Sequence, residues 1–225
     1  MDLTNVYIGF ALATFAGLST GIGSLLGLYS KFENKRLLSL ALGFSAGVMI
    51  YVSFMELLLL SFDSLGGLYG DTYGKLIGVT SFIAGLLIML FIDQLFDHHS
   101  IADFISRSSN KEESLLIRTG IFSAIALAIH NFPEGFATFT AAVYDPAVGV
   151  TLAIAIAIHN IPEGLAVSVP IYYATKSKSK AFWISFASGL AEPLGAVIGF
   201  LIFRTVYNEA LFGISFALCA GIMIY

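Results

Sequence analysis

Apolar residues run along this chain in long blocks with almost no charge, not in the two-residue alternation of half-buried strands. Residues 3–30 contain no Asp, Glu, Lys or Arg. A helix that crosses a bilayer needs ~20 such residues, whereas a barrel strand needs about ten with inside–outside alternation. Seven blocks follow the helical pattern, at about residues 5–30, 37–61, 73–96, 117–142, 147–175, 181–203 and 210–225. The pattern predicts an all-α integral membrane protein, with seven spans in a single transmembrane domain over residues 1–225. The last block has 16 residues, about 24 Å of α-helix against a ~30 Å hydrocarbon core. The full protein is therefore expected to continue beyond Tyr225.

Composition narrows the class. Of 225 residues, 57% are hydrophobic and only 12% are charged, about half the charge of a soluble domain. The single cysteine, Cys219, excludes an internal disulfide. A net charge of −4 argues against a nucleic-acid partner. The first apolar block is too long for a signal peptide and lacks a basic leader, so it reads as a retained span.

The eleven Lys and Arg residues fix an orientation. Lys31, Lys35 and Arg36 lie in the first connection, Arg107, Lys111 and Arg118 in the third, and Lys176, Lys178 and Lys180 in the fifth. Only Lys75 and Arg204 lie on the other side. The positive-inside rule then puts connections one, three and five in the cytoplasm and the N-terminus outside the cell membrane. The Lys176–Lys180 run is accounted for by this topology and by anionic headgroups.

Two internal repeats stand out. His130-Asn131-Phe132-Pro133-Glu134-Gly135 returns as His159-Asn160-Ile161-Pro162-Glu163-Gly164, and residues 46–51 (AGVMIY) return as residues 220–225 (AGIMIY). With alternating spans, the second pair lies on helices of opposite direction, the mark of an inverted-repeat transporter.

The chemistry is carried by acids inside the apolar blocks: Glu56, Glu134, Glu163 and Glu192. A charge at the bilayer centre costs at least ~2.5–3.5 kcal/mol, and every basic residue lies outside the apolar centres of these blocks. One such Glu is explained by a proton and a hydrogen bond to a neighbouring helix. Four Glu with two His form instead a borderline-soft ligand set for divalent transition metals. His130 and Glu134 are i and i+4 and share a helix face, as do His159 and Glu163. A tight turn around Tyr144-Asp145-Pro146 makes the two helices an antiparallel hairpin, which sets each His near the depth of the other helix's Glu. Asn131 and Asn160 flank that face. Pro133, Pro162 and Pro193 adjoin three of the Glu and free backbone carbonyls there. Glu192 is the natural further ligand. Glu56, expected near the outer end of its span, is a candidate for ion capture. Met49 is a candidate soft ligand, although a membrane-helix Met usually packs. Asp93, Asp97, His98, His99 and Asp103 cluster near the third connection, where weak metal binding and a solvated loop are both consistent with the composition.

Two rival readings use the same buried His and Glu residues: a membrane-embedded metalloenzyme and a proton-coupled solute transporter. A zinc protease would want His-Glu-x-x-His, which the sequence lacks. A proton-coupled carrier would not need His at i−4 twice.

The strings HNFPEG, HNIPEG and GLAEP resemble the ZIP (Zrt/Irt-like) family of divalent metal transporters, and in particular its bacterial zinc-uptake branch. The resemblance implies an eight-helix bundle in which inverted three-helix repeats flank a central kinked pair, and commonly a homodimer. It implies import of Zn²⁺ chiefly, and also of Fe²⁺, Mn²⁺, Co²⁺ or Cd²⁺, by alternating access through a binuclear site, with no catalytic cofactor. Its ligands fall on His130, Asn131, Glu134, His159, Asn160, Glu163 and Glu192, with Met49 a weaker match. Many members carry Asp or Gln in the fifth-span pair; His159-Asn160 removes an anionic ligand there. The family also predicts a counterpart of Glu56 on the seventh span.

Overall fold

A computed structural model describes residues 2–29, 35–95 and 111–225. Regular structure among them is helical: α1 (Leu3–Tyr29), α2 (Lys35–Tyr51), a π-helical turn (Val52–Leu57), α3 (Leu58–Tyr69), α4 (Asp71–Leu95), α5 (Lys111–Tyr144), α6 (Pro146–Thr175), α7 (Lys178–Gly189), α8 (Ala191–Thr205) and α9 (Glu209–Ile224). Because α2, the π turn and α3 are continuous, and α7 runs into α8, these make seven rods. Five regions are long and apolar enough to cross a membrane: Leu3–Tyr29, Leu38–Tyr69, Asp71–Gln94, Pro146–Thr175 and Lys178–Thr205. The fourth rod, α5, is 34 residues long but opens with the polar Lys111-Glu112-Glu113. The seventh, α9, is apolar and 16 residues long.

The ends follow local chemistry. Asp145 caps α6 by accepting a hydrogen bond from the Ala147 N–H at 2.8 Å, and Pro146 opens the helix where its missing N–H costs nothing. Asn208 caps α9 through the Leu211 N–H at 2.7 Å. Ser177 caps α7, accepting from Lys180 N–H at 3.3 Å.

Two expectations change. The second block does not end near residue 61: the rod continues to Tyr69. Ser61 and Ser64, at and beyond that bound, are buried, and Ser64 Oγ donates to the Glu209 carbonyl at 2.8 Å. Glu56 therefore lies near the middle of its rod, not at its outer end, with about 20 Å of helix beyond it. The sixth block is interrupted, in keeping with its Pro193. It breaks at Leu190, just ahead of Pro193, which cannot donate the bond that would continue the ladder.

The rods pack in a definite order. α1 lies along α6, α5 lies along both α6 and α8, and α4 lies along α3 and α9. Small residues permit this. A Cβ on Gly164 would collide with the Thr20 carbonyl oxygen of α1, and one on Gly135 with the Glu192 carbonyl oxygen of α8. Backbones meet directly at both repeats, the membrane form of close packing. Towards one end, rings join the rods. Phe139 of α5 lies 5.1 Å from Phe10 of α1, and Phe203 of α8 stacks on Phe212 of α9 at 4.4 Å.

Candidate metal centre

The hairpin of α5 and α6 carries both repeated motifs. Only Asp145 separates the two helices, so His130, Glu134, His159 and Glu163 face one another across a fixed gap. Glu134 Oε1 stands 3.1 Å from His130 Nε2 on its own helix and 3.1 Å from His159 Nε2 on the other. Glu163 Oε1 lies 3.9 Å from His159 Nε2. One ligand atom each from His130, His159 and Glu163 falls within 4.8 Å of the others, a spacing that can hold a metal ion.

Burial raises the stakes. Glu134, His159, Asn131, Asn160 and Glu192 are fully buried, while the His130 side chain is 23% exposed and that of Glu163 12%. The cluster thus opens on the His130–Glu163 side and closes on the Glu134–His159 side. Among the described residues, the groups paired with Glu134 and Glu163 are the two imidazoles, not Lys or Arg. Both carboxylate oxygens of Glu134, Oε2 of Glu163 and both ring nitrogens of His159 make no hydrogen bond among the described residues. Buried polar atoms are nearly always satisfied. His159 Nε2 and the orphaned carboxylate oxygens beside it form a set of donor atoms that suits a cation.

The asparagines stand beside the cluster, each tied down by its nitrogen. Asn131 Nδ2 donates to the Ser188 carbonyl of α7 at 3.3 Å. Asn160 Nδ2 donates to the Ala16 carbonyl of α1 at 3.0 Å, and also to Glu192 Oε1. This leaves Asn131 Oδ1, Asn160 Oδ1 and Glu192 Oε2 without hydrogen bonds. Glu192 is thereby placed beside Asn160, not within the His130–His159–Glu163 group. Met49 is buried in the apolar core that also contains Val52, Phe216, Cys219 and Met223. Glu56 is half-buried in the π turn, where Leu58 N–H bonds to the Ser53 carbonyl. Such turns occur often at functional sites. Asp97, His98, His99 and Asp103 lie outside the described residues.

Three contributors went unread in the sequence. Ala16 and Ser188 act through backbone carbonyls, which no side-chain motif can signal. Ser45 Oγ of α2 donates to the His159 carbonyl at 3.2 Å. The role of α1 had a signal, however: Ala13, Ala16, Gly17, Thr20, Gly21 and Ser24 form a buried stripe of small residues, the pattern of a close-packed membrane helix.

A membrane hairpin whose two proline-containing helices set imidazole against carboxylate defines a metal-handling membrane protein. The chain belongs to the ZIP zinc-transporter family, whose pattern matches residues 97–225, and it is accordingly a multi-pass membrane protein and a transporter rather than an enzyme. Similarity extends to nearly the whole chain. It is 50% identical to the zinc transporter ZupT of Chlorobium chlorochromatii (strain CaD3), over 98% of this chain and 85% of that protein. It is 49% identical to the zinc transporter ZupT of Chlorobaculum parvum, with the same coverage, and 48% identical to that of Oceanobacillus iheyensis, over 99% of this chain and 86% of the relative.

Proposed function

We propose that this chain imports Zn²⁺ across the cell membrane into the cytoplasm, and that His130, Glu134, His159 and Glu163 are the ligands of the ion in transit. The single observation that carries the reading is the convergence of His130, His159 and Glu163 within 4.8 Å, around a Glu134 oxygen 3.1 Å from both imidazoles. Two carboxylates balance one divalent charge, which makes burial of the ion tolerable. Neutral imidazole and carboxylate oxygens suit Zn²⁺ and discriminate weakly against Fe²⁺, Mn²⁺, Co²⁺ and Cd²⁺. Asn131 Oδ1, Asn160 Oδ1 and Glu192 Oε2, all orphaned and buried, supply oxygen ligands for a second ion next to the first, with Glu134 able to bridge.

The ion enters from the side of the N-terminus and exchanges water for these ligands. It leaves toward the connection that carries His98 and His99, and Glu56 serves capture or relay. The whole chain acts as one transmembrane domain built on an inverted repeat. Two matched contacts support the repeat: the Gly of the second motif rests on the first rod at Thr20, and the Gly of the first motif rests on the sixth rod at Glu192. An eight-helix bundle needs one rod beyond the seven formed by the described residues. In proteoliposomes at equal protein level, Glu163→Ala is expected to abolish ⁶⁵Zn uptake; wild-type flux in that variant refutes the ligand assignment.

A further inference from the structure

Away from the metal centre, the ends of α1, α6 and α7 meet at the connection around residues 175–180. Lys178 Nζ sits 4.1 Å above the ring centroid of Tyr29, and Lys176 Nζ lies 5.5 Å from that of Tyr173. Lys176, Lys178 and Lys180 are all exposed, and Tyr29 is 74% exposed. Directly along α1 from Tyr29 runs an open groove of about 570 Å³ lined by Ile22, Leu25, Leu26 and Tyr29. Tyr29 belongs to both features: its ring carries the Lys178 ammonium, and it also lines the groove.

We propose that this is a binding site for an anionic phospholipid, with its phosphate held by Lys176, Lys178 and Lys180 and one acyl chain in the groove on α1. The charge and the shape select the occupant together. A groove lined by Ile, Leu and the Tyr ring has nothing to offer a polar ligand, and the Lys178 ammonium on Tyr29, with the exposed Lys176 and Lys180 two residues to either side in the chain, favours a headgroup with net negative charge. From Ile22 to Tyr29 the helix rises roughly 10 Å, most of one leaflet's ~15 Å share of the hydrocarbon core. A phosphate at the lysines therefore lets its tail lie along the groove at natural depth. Trp183, 60% exposed and packed edge-on against Phe182 and Phe186, marks the same level as interfacial.

The site also has a route to the centre. Round the helix from the groove, a Cβ at Gly23 of α1 would collide with the carbonyl oxygen of Ile161, inside the second repeated motif. A lipid seated on the outer face clamps α1 against the helix that carries His159 and Glu163.

Native mass spectrometry of the full chain in detergent, with phosphatidylglycerol and phosphatidylcholine added in equal amounts, tests the site. Each lysine near an anionic surface is worth roughly fivefold in binding. Wild-type protein is expected to retain phosphatidylglycerol at least fivefold over phosphatidylcholine. K176Q/K178Q/K180Q is expected to erase that preference while keeping its lipid-free melting temperature, since all three side chains are exposed. Leu25→Asn is expected to weaken retention of both lipids. Equal retention of the two lipids by wild-type protein, or an unchanged preference in the triple variant, overturns the proposal. Full displacement by glycerol 3-phosphate overturns it too, because a headgroup alone would then suffice.

Discussion

Glu134→Gln separates the cost of the metal centre from its use. Glu134 is fully buried, and its Oε1 lies 3.1 Å from both imidazoles. The amide keeps the shape and removes the charge. Without metal, the wild-type site buries a carboxylate whose two oxygens make no hydrogen bond among the described residues, so the variant is expected to melt no lower than wild type, and slightly higher. With zinc the sign reverses. Each charge-assisted ligand contact is worth about 1.5–3 kcal/mol, or roughly 10- to 150-fold in affinity. At saturating zinc, the stabilisation that metal confers should fall by the same amount. For a chain of this size that is roughly 3–12 °C of zinc-induced shift in melting temperature. Thermal melts in detergent with and without ZnCl₂, beside ⁶⁵Zn uptake, provide the readout. Because Glu134 touches both imidazoles, its effect should also be non-additive with His159→Asn. A variant whose zinc-induced shift equals that of wild type, or a double variant with simply additive losses, refutes the central role given to Glu134.

Zinc affinity should fall as the pH is lowered, because imidazole and carboxylate ligands must be deprotonated to bind. A plot of log Kd against pH should approach a slope of minus two at low pH if both His130 and His159 bind; a flat profile contradicts imidazole ligation. Gly135→Val and Gly164→Val place a side chain against the backbones of Glu192 and Thr20. Each should cost about 1–3 kcal/mol by overpacking, read as a lower melting temperature with and without zinc. Asn160→Ala removes the donor that ties Glu192 Oε1 to α6 and should cost about 1–3 kcal/mol; unchanged stability would show the bond to be dispensable.

Long apolar blocks and i, i+4 pairs are read easily in a sequence because both arise within one helix. That is why the rods and the His130–Glu134 and His159–Glu163 faces were legible. The hairpin was legible too, since Asp145-Pro146 is a local cap. What escaped depends on neighbours. The second rod runs on past Ser61, where Ser64 meets the Glu209 carbonyl of another rod. The π turn at Val52–Leu57 has no composition of its own. The anchors of Asn131 and Asn160 are carbonyls of Ser188 and Ala16, supplied by rods 57 and 144 positions away in the chain.

The one-residue link at Asp145 constrains how cargo can be released. A single residue spans at most ~3.6 Å, less than the 5.4 Å pitch of a helix. The two arms that carry the proposed ligands cannot slip past each other by a full turn without tearing open their own joint. The cradle therefore travels as one piece, and exposure to either face of the bilayer has to come from the rods around it, α1 and α8 foremost, changing their position against its flanks.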